Sequence, residues 1–159
     1  MGVHDLADYP WDAVVSYRER AAQHPDGLVD LSIGSPVDPT PEIIRKALAD
    51  ATDAHAYPQT VGTPALREAI VDWYARRRGV PDLRVDNVMP TIGSKELVAL
   101  LPTLLGLGEG DIVVFPRVAY PTYEVGARVA GATPVAEDDP ALWPEGARLI
   151  WINTPGNPD

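Results

Sequence analysis

Leu149-Ile150-Trp151-Ile152-Asn153-Thr154-Pro155-Gly156-Asn157-Pro158-Asp159 is the stretch on which the fold turns. Four apolar residues, two of them β-branched, run into a turn rich in Asn and Pro. Such a run reads as a buried strand of a parallel sheet. Ligands of open α/β sheets bind just past the carboxyl ends of their strands, so the turn is expected to border a site. The same pattern recurs upstream. Ile112–Phe115, Thr133–Ala136 and Arg148–Ile152 read as strands, Asn87–Ile92 as strand-like, and Ser94–Leu105 and Thr122–Ala130 as helices. Strands alternating with helices of this length predict βαβ units: an α/β fold with a parallel sheet flanked by helices.

The first eighty residues have a different texture. Trp11–Ala22 reads as a helix closed by the turn Gln23-His24-Pro25-Asp26-Gly27, followed by a short extended segment at Leu28–Ile33. Gly34-Ser35-Pro36-Val37-Asp38-Pro39 cannot be helix and is a loop. Pro41 opens a helix whose apolar face is Ile43, Ile44, Ala47 and Leu48. Thr63-Pro64 starts a longer one that ends at Arg76-Arg77-Arg78-Gly79, the three arginines complementing the helix dipole. Residues 1–40 are therefore expected to form an N-terminal helical arm with part of a small domain, and residues 41–159 the first part of a larger sheet domain.

Composition narrows the function. A chain of 159 residues with 45% hydrophobic and 23% charged residues can bury a core and is not of a disordered type. Its net charge of -10 argues against a nucleic-acid partner, which calls for a basic face. Zero cysteines exclude disulfides and thiolate chemistry, and His4, His24 and His55 have no ligand-spaced neighbours for a metal. Met1–Asp5 has no apolar signal core, and the most apolar stretch, Val98–Leu107, is too short to cross a bilayer. A soluble, cytoplasmic protein is expected.

Three turns carry candidate chemistry. At Thr91-Ile92-Gly93-Ser94-Lys95-Glu96 a glycine precedes a helix, so backbone N–H groups can face outward as an anion site, strengthened by Ser94 and Lys95. On this junction alone the plainer reading is favoured: Ser94 caps the helix and Lys95 is solvated. Gly106-Leu107-Gly108-Glu109-Gly110 follows a helix and precedes a strand, the reverse of a dinucleotide fingerprint, and reads as a helix cap and turn. Tyr120-Pro121-Thr122-Tyr123 follows a strand at the same edge of the sheet; its rings either stack on a flat heterocycle or pack at a helix start. An anion site, a possible stacking ring and the amide of Asn157, each after a different strand, together describe a pocket for a phosphorylated aromatic ring.

These motifs in combination resemble the N-terminal part of a class I/II pyridoxal-phosphate-dependent aminotransferase of fold type I, from about Tyr9 to Asp159. The resemblance rests on Gly34-Ser35-Pro36 before Pro41, Tyr57-x4-Gly62-x3-Leu66-Arg67, Thr91-x-Gly93-Ser94-Lys95-Glu96, Gly110-Asp111-x-Val113, Pro116-x3-Tyr120-Pro121-x-Tyr123 and Asn153-x-Pro155-x-Asn157-Pro158. Pro10-Trp11-Asp12, His24-Pro25-Asp26-Gly27 and Ala119-Tyr120-Pro121-Thr122-Tyr123 look closest to the actinobacterial N-succinyldiaminopimelate aminotransferases. The resemblance implies pyridoxal 5'-phosphate as cofactor, an amino-acid and keto-acid substrate pair with glutamate as donor, a role in lysine and diaminopimelate synthesis, and a homodimeric full-length parent. It implies that Ser94 and Lys95 contact the cofactor phosphate, that Tyr120 stacks on the pyridine, and that Asn157 bonds the ring 3-oxygen. Tyr57 is implied to reach the phosphate of the neighbouring subunit, and Gly34 to meet the substrate carboxylate.

The chain departs from the family in two places. The family motif continues after Asn157-Pro158 with Thr or Ser and then Gly, where Asp159 stands here. The only lysines are Lys46 and Lys95, neither at the Schiff-base position. That lysine, the Asp on the pyridine nitrogen and the Arg on the substrate carboxylate lie further along in family members. The expectation is an incomplete large domain with no catalytic residue of its own, inert alone and active in its full-length parent. The alternatives are a non-catalytic fragment that binds phosphate or cofactor, and another class I/II aminotransferase. In the family the strand leading to Gly93 pairs beyond position 159, so Asn87–Ile92 is expected to have no ladder partner here.

Overall fold

The computed structural model describes residue 6 and residues 8–157. Pro158 and Asp159, where the final motif departs from its pattern, and the N-terminal Met1–Asp5 lie outside the described residues. The chain divides into two compact units. One takes the N-terminal residues to Pro25 together with Thr91 onward, and the other takes Asp26–Pro90. The boundary expected at residue 40 therefore falls inside the second unit.

The sheet of the first unit is built on β1 (Ile112–Phe115), four β-branched or aromatic residues that suit a pleated surface covered on both faces. Val113 and Val114 are fully buried. β2 (Thr133–Ala136) and β3 (Ala147–Ile150) pair with β1 on either side, both parallel, in the order β2-β1-β3. The expected α/β class is what the structure shows. The β1–β3 ladder slips by one residue between Ile112 and Val113. It also continues past β3, because Trp151 N–H donates to the Val114 carbonyl at 2.9 Å. Ile152 is exposed, so the strand ends earlier than the apolar run suggests. Asn87–Ile92, strand-like in sequence but expected to have no ladder partner, joins no ladder among the described residues, and its first residue belongs to the 3-10 turn Val85–Asn87.

α5 (Thr122–Ala130) packs against β1 and β2, and α4 (Ser94–Leu104) packs against α5. Leu107, Val113, Ala127 and Ala132 form the core, with Leu149 and Trp151 packed against it. The helices meet at Gly126. A Cβ there would lie 2.9 Å from the carbonyl oxygens of both Val98 and Ala99. Pro102, buried within α4, has no N–H to give the Val98 carbonyl, so α4 leaves an oxygen without its helical donor where α5 comes closest.

The N-terminal helix is shorter than expected. Pro10–Val14 is 3-10 and only Val15–Ala21, α1, is α-helical. In the second unit Pro41 sits at the N-cap of α2 (Glu42–Asp50), one position before the place expected for it, and Ile43, Ile44 and Leu48 of its apolar face are exposed. α3 (Pro64–Arg78) is capped by the Thr63 hydroxyl, which accepts from Leu66 N–H, and is closed by Gly79 in the left-handed region. Arg67 donates twice from α3 to the Val85 carbonyl, at 3.0 and 2.6 Å, and so fixes the 3-10 turn. No helix among the described residues is long and apolar enough to cross a membrane.

The loops leaving β1 and β2 are tied together. Glu137 N–H donates to the Phe115 carbonyl, Arg117 N–H to Asp138 Oδ1 at 3.0 Å, and Arg117 Nη2 to Glu137 Oε2 at 2.7 Å. Asp139 N–H caps the other Glu137 carboxylate oxygen at 3.0 Å, and the Trp143 indole donates to the Glu137 carbonyl. The Asp139 N–H, and then Arg117, hold the Glu137 carboxyl below its usual range.

Two outcomes follow. Gly126→Ala gains up to about 1 kcal/mol of helix propensity but overpacks backbone against backbone, which typically costs about 1–3 kcal/mol. The clash wins, so the urea midpoint should fall. A carboxyl depressed in the folded state stabilises it above the unfolded pKa and loses that contribution as pH falls through the native value. The urea midpoint should therefore drop as pH is lowered below the ordinary glutamate value of 4.5. Glu137→Gln should flatten that decline.

Candidate functional site

The start of α4 is shaped by Gly93, which holds the N-cap position at φ 79° and ψ 155°, a conformation open only to glycine. Nothing lies within 4 Å of where its Cβ would be, so backbone angle and not space demands a glycine here. Ser94 is consequently the first helical residue and not the cap, and no side chain caps this end. This overturns the reading of Ser94 as a capping residue. The first N–H groups of an α-helix have no intrahelical carbonyl, and the aligned peptide dipoles add partial positive charge at that end. α4 spans eleven residues and carries this end at the edge where β1 and β3 also finish.

Lys95 lies in that first turn, its ammonium 5.7 Å from the centroid of the Tyr120 ring. That distance is within reach of a cation–π contact. Among the described residues no carboxylate forms an ion pair with Lys95, whereas Lys46 is paired with Asp50 at 2.8 Å. The structure thus separates the two lysines, one engaged on an exposed helix face and one beside an aromatic ring.

The two tyrosines after β1 also part company. Tyr123 packs on Trp151 with ring centroids 5.2 Å apart, so for it the packing reading holds. Tyr120 stays 45% exposed, and its carbonyl accepts from Tyr123 N–H at 3.1 Å in the turn that opens α5. Its ring is presented and not buried. Asn157 is exposed in the turn after β3 and makes no hydrogen bond or ring contact among the described residues. Tyr57, 99% exposed, and Gly34, also exposed, belong to the second unit. The structure therefore brings together Lys95 and Tyr120, with Ser94 beside Lys95 in the chain. It shows no contact joining Asn157 to them.

Two features escaped the sequence reading. A cleft of about 610 Å³ lies past the strand ends, lined by Pro116, Glu137, Asp138, Trp143 and Trp151 among others. The Trp151 indole N–H is buried without an acceptor among the described residues. The second is the Arg117–Glu137–Asp138 clamp. Opposite charges within two residues of Phe115 and Ala136 would have signalled it, had the pairing of those two strands been used to set their ends side by side.

Residues at this edge fit a phosphorylated flat heterocycle. Uncapped N–H groups and an ammonium suit the phosphate, the Gly93 turn leaves room for close backbone approach, and an exposed ring offers a stacking face.

The family model described as aminotransferase class I and II matches residues 26–139. The chain is 51% identical over 158 residues to 4-dedimethylamino-4-oxo-anhydrotetracycline transaminase OxyQ of Streptomyces rimosus, covering 99% of this chain and 44% of that protein. An aminotransferase structure from Neisseria meningitidis Z2491 superposes with a TM-score of 0.78 at 26% identity, covering 98% of this chain and 44% of that one. A probable N-succinyldiaminopimelate aminotransferase structure from Thermus thermophilus superposes with a TM-score of 0.74 at 32% identity, covering 93% and 44%. The chain thus spans less than half the length of these relatives. With the family model covering most of its length, the chain belongs to the class I and II aminotransferase family.

Proposed function

We propose that this chain forms the phosphate-and-ring half of a pyridoxal 5'-phosphate site, and that the longer protein it corresponds to transfers amino groups between an amino acid and a keto acid. The observation that carries this reading is the Lys95 ammonium 5.7 Å from the half-exposed Tyr120 ring, at a helix start opened by Gly93. In this reading the N–H groups of Ser94 and Lys95 and the Ser94 hydroxyl hold the phosphate, and Tyr120 stacks on the heterocycle. Asn157 bonds the ring oxygen once the turn after β3 closes on it. Bound pyridoxal phosphate supplies the electron-withdrawing ring on which an amino group is carried. Lys46 and Lys95 are not assigned the covalent role: one is paired with Asp50 on an exposed helix, and the other is committed to the phosphate turn. Tyr57 completes the phosphate contacts of a second copy in a homodimer, and Gly34 meets the substrate carboxylate. A cytoplasmic location belongs to the same reading.

For the acceptor we favour the keto acid that becomes N-succinyldiaminopimelate on amination, with glutamate as amino donor, supported by the motifs shared with that enzyme group and by the name of the Thermus relative. A second reading has a specific observation behind it. The 51% identity to a transaminase acting on an anhydrotetracycline points to a polycyclic ketone as acceptor. Side-by-side assays of the full-length gene product with glutamate and either acceptor separate the two.

The site itself can be tested on the 159-residue chain. Tyr120→Ala should weaken pyridoxal phosphate binding roughly 2- to 12-fold, the worth of one aromatic stack, and leave inorganic phosphate binding unchanged. Ser94→Ala should weaken both. Borohydride trapping followed by peptide mapping should give no stoichiometric, selective label on Lys46 or Lys95. Such a label on either lysine, or Tyr120→Ala without effect, would refute this assignment.

A further inference from the structure

Tyr120 sits in a segment that packing does little to hold. Phe115 before it is buried, but Arg117 and Val118 are exposed, and no residue between Phe115 and α5 joins a ladder. What fixes this loop at its upstream end is a pair of bonds at Arg117. Its N–H donates to Asp138 Oδ1 at 3.0 Å and its guanidinium to Glu137 Oε2 at 2.7 Å. The acceptors are rooted in turn. Glu137 N–H extends the β1–β2 pairing onto the Phe115 carbonyl, its free carboxylate oxygen accepts from Asp139 N–H, and its carbonyl accepts from the Trp143 indole. At the downstream end Tyr123 N–H on the Tyr120 carbonyl, and Val125 N–H on that of Pro121, start α5.

Arg117 and Tyr120 border one cavity of about 340 Å³, together with Pro121 and Glu124. Tyr120 is three positions on from Arg117, a reach of roughly 10 Å at full extension. Within so short a span, movement at Arg117 is passed on to the Tyr120 ring. Both bonds to carboxylates are charge-assisted, the stronger kind of hydrogen bond. The clamp also consumes the charge of Arg117, leaving Lys95 as the cation set beside the ring.

We propose that Asp138 and Glu137, acting through Arg117, are positioning residues for Tyr120: they hold the loop from Pro116 to Pro121 so that the ring lies beside the Lys95 ammonium and presents its face to a flat heterocycle. The heterocycle rests on the cofactor-site reading above; the placement of the ring does not.

The test uses the 159-residue chain and three readouts: the upfield ring-current shift of the Lys95 ε-methylene protons, and the dissociation constants of pyridoxal phosphate and of inorganic phosphate. Asp138→Ala should abolish the ring-current shift and weaken pyridoxal phosphate about fivefold, within the range of one aromatic stack. Inorganic phosphate, which needs only the α4 start, should bind as before. Asp138→Asn keeps an oxygen for the Arg117 N–H and should restore both readouts. Arg117→Met removes the bond to Glu137 alone and should fall between. If Asp138→Ala does not fold by circular dichroism, Arg117→Met decides. An unchanged ring-current shift in the folded clamp variants overturns the proposal, as does a loss that Asp138→Asn fails to restore. A wild-type chain that binds neither probe sinks the cofactor-site reading instead, while the ring-current shift still decides the clamp.

Discussion

The approach of α5 to α4 at Gly126 is the constraint on which the site depends. Val98 and Ala99 lie one turn into α4 from Ser94 and Lys95, and Gly126 lies one turn into α5 from Thr122. The helices touch where a Cβ would be 2.9 Å from two carbonyl oxygens, so their separation at that level is set by bare backbone. One turn back from the contact, the two N-termini are correspondingly close. One carries the uncapped N–H groups and Lys95, the other the turn that bears Tyr120. A side chain at position 126 would push apart the two halves of the site as well as the two helices.

An anion site proposed for a chain of net charge -10 calls for a local explanation. The Debye length is about 8–10 Å near physiological ionic strength, so exposed carboxylates further away than this are largely screened. What an approaching phosphate meets at short range is a helix start with unsatisfied donors, a lysine with no carboxylate partner among the described residues, and backbone with no Cβ at Gly93. Glu137 and Asp138 stand at the same sheet edge, but both are engaged by Arg117, which neutralises part of their field. Acidity overall and anion affinity at one edge are therefore compatible, because screening makes the site answer to its nearest groups.

The elements that the sequence revealed best were those with a local cause. The β-branched run Ile112–Phe115, the Thr122–Ala130 helix closed by Gly131 in the left-handed region and the Thr63–Gly79 helix with its caps all depend on neighbours within a few residues. Asn87–Ile92 has the texture of a strand but was expected to stay unpaired, because a strand exists only if another backbone pairs with it, and none does among the described residues. One local signal did mislead. Ser94 looks like a cap because Ser commonly is one; the cap fell to Gly93, whose positive φ places the first helical turn one residue later.

Sequence by itself determined the α/β class, the family and the residue types at the site, because hydrophobic period, turn glycines and motif spacing are properties of the chain read in order. Tertiary structure decided which of those residues meet. Lys95 and Tyr120 are twenty-five positions apart and come within 5.7 Å only because Gly126 lets two helices close on each other. Tyr123 and Tyr120, nearly adjacent in the chain, were separated into a packing ring and a presented ring by the position of Trp151. Arg117 and Asp138 became partners because β1 and β2 pair in parallel, so that their carboxyl ends lie side by side. Contacts of this kind depend on register and close approach, which no local pattern encodes.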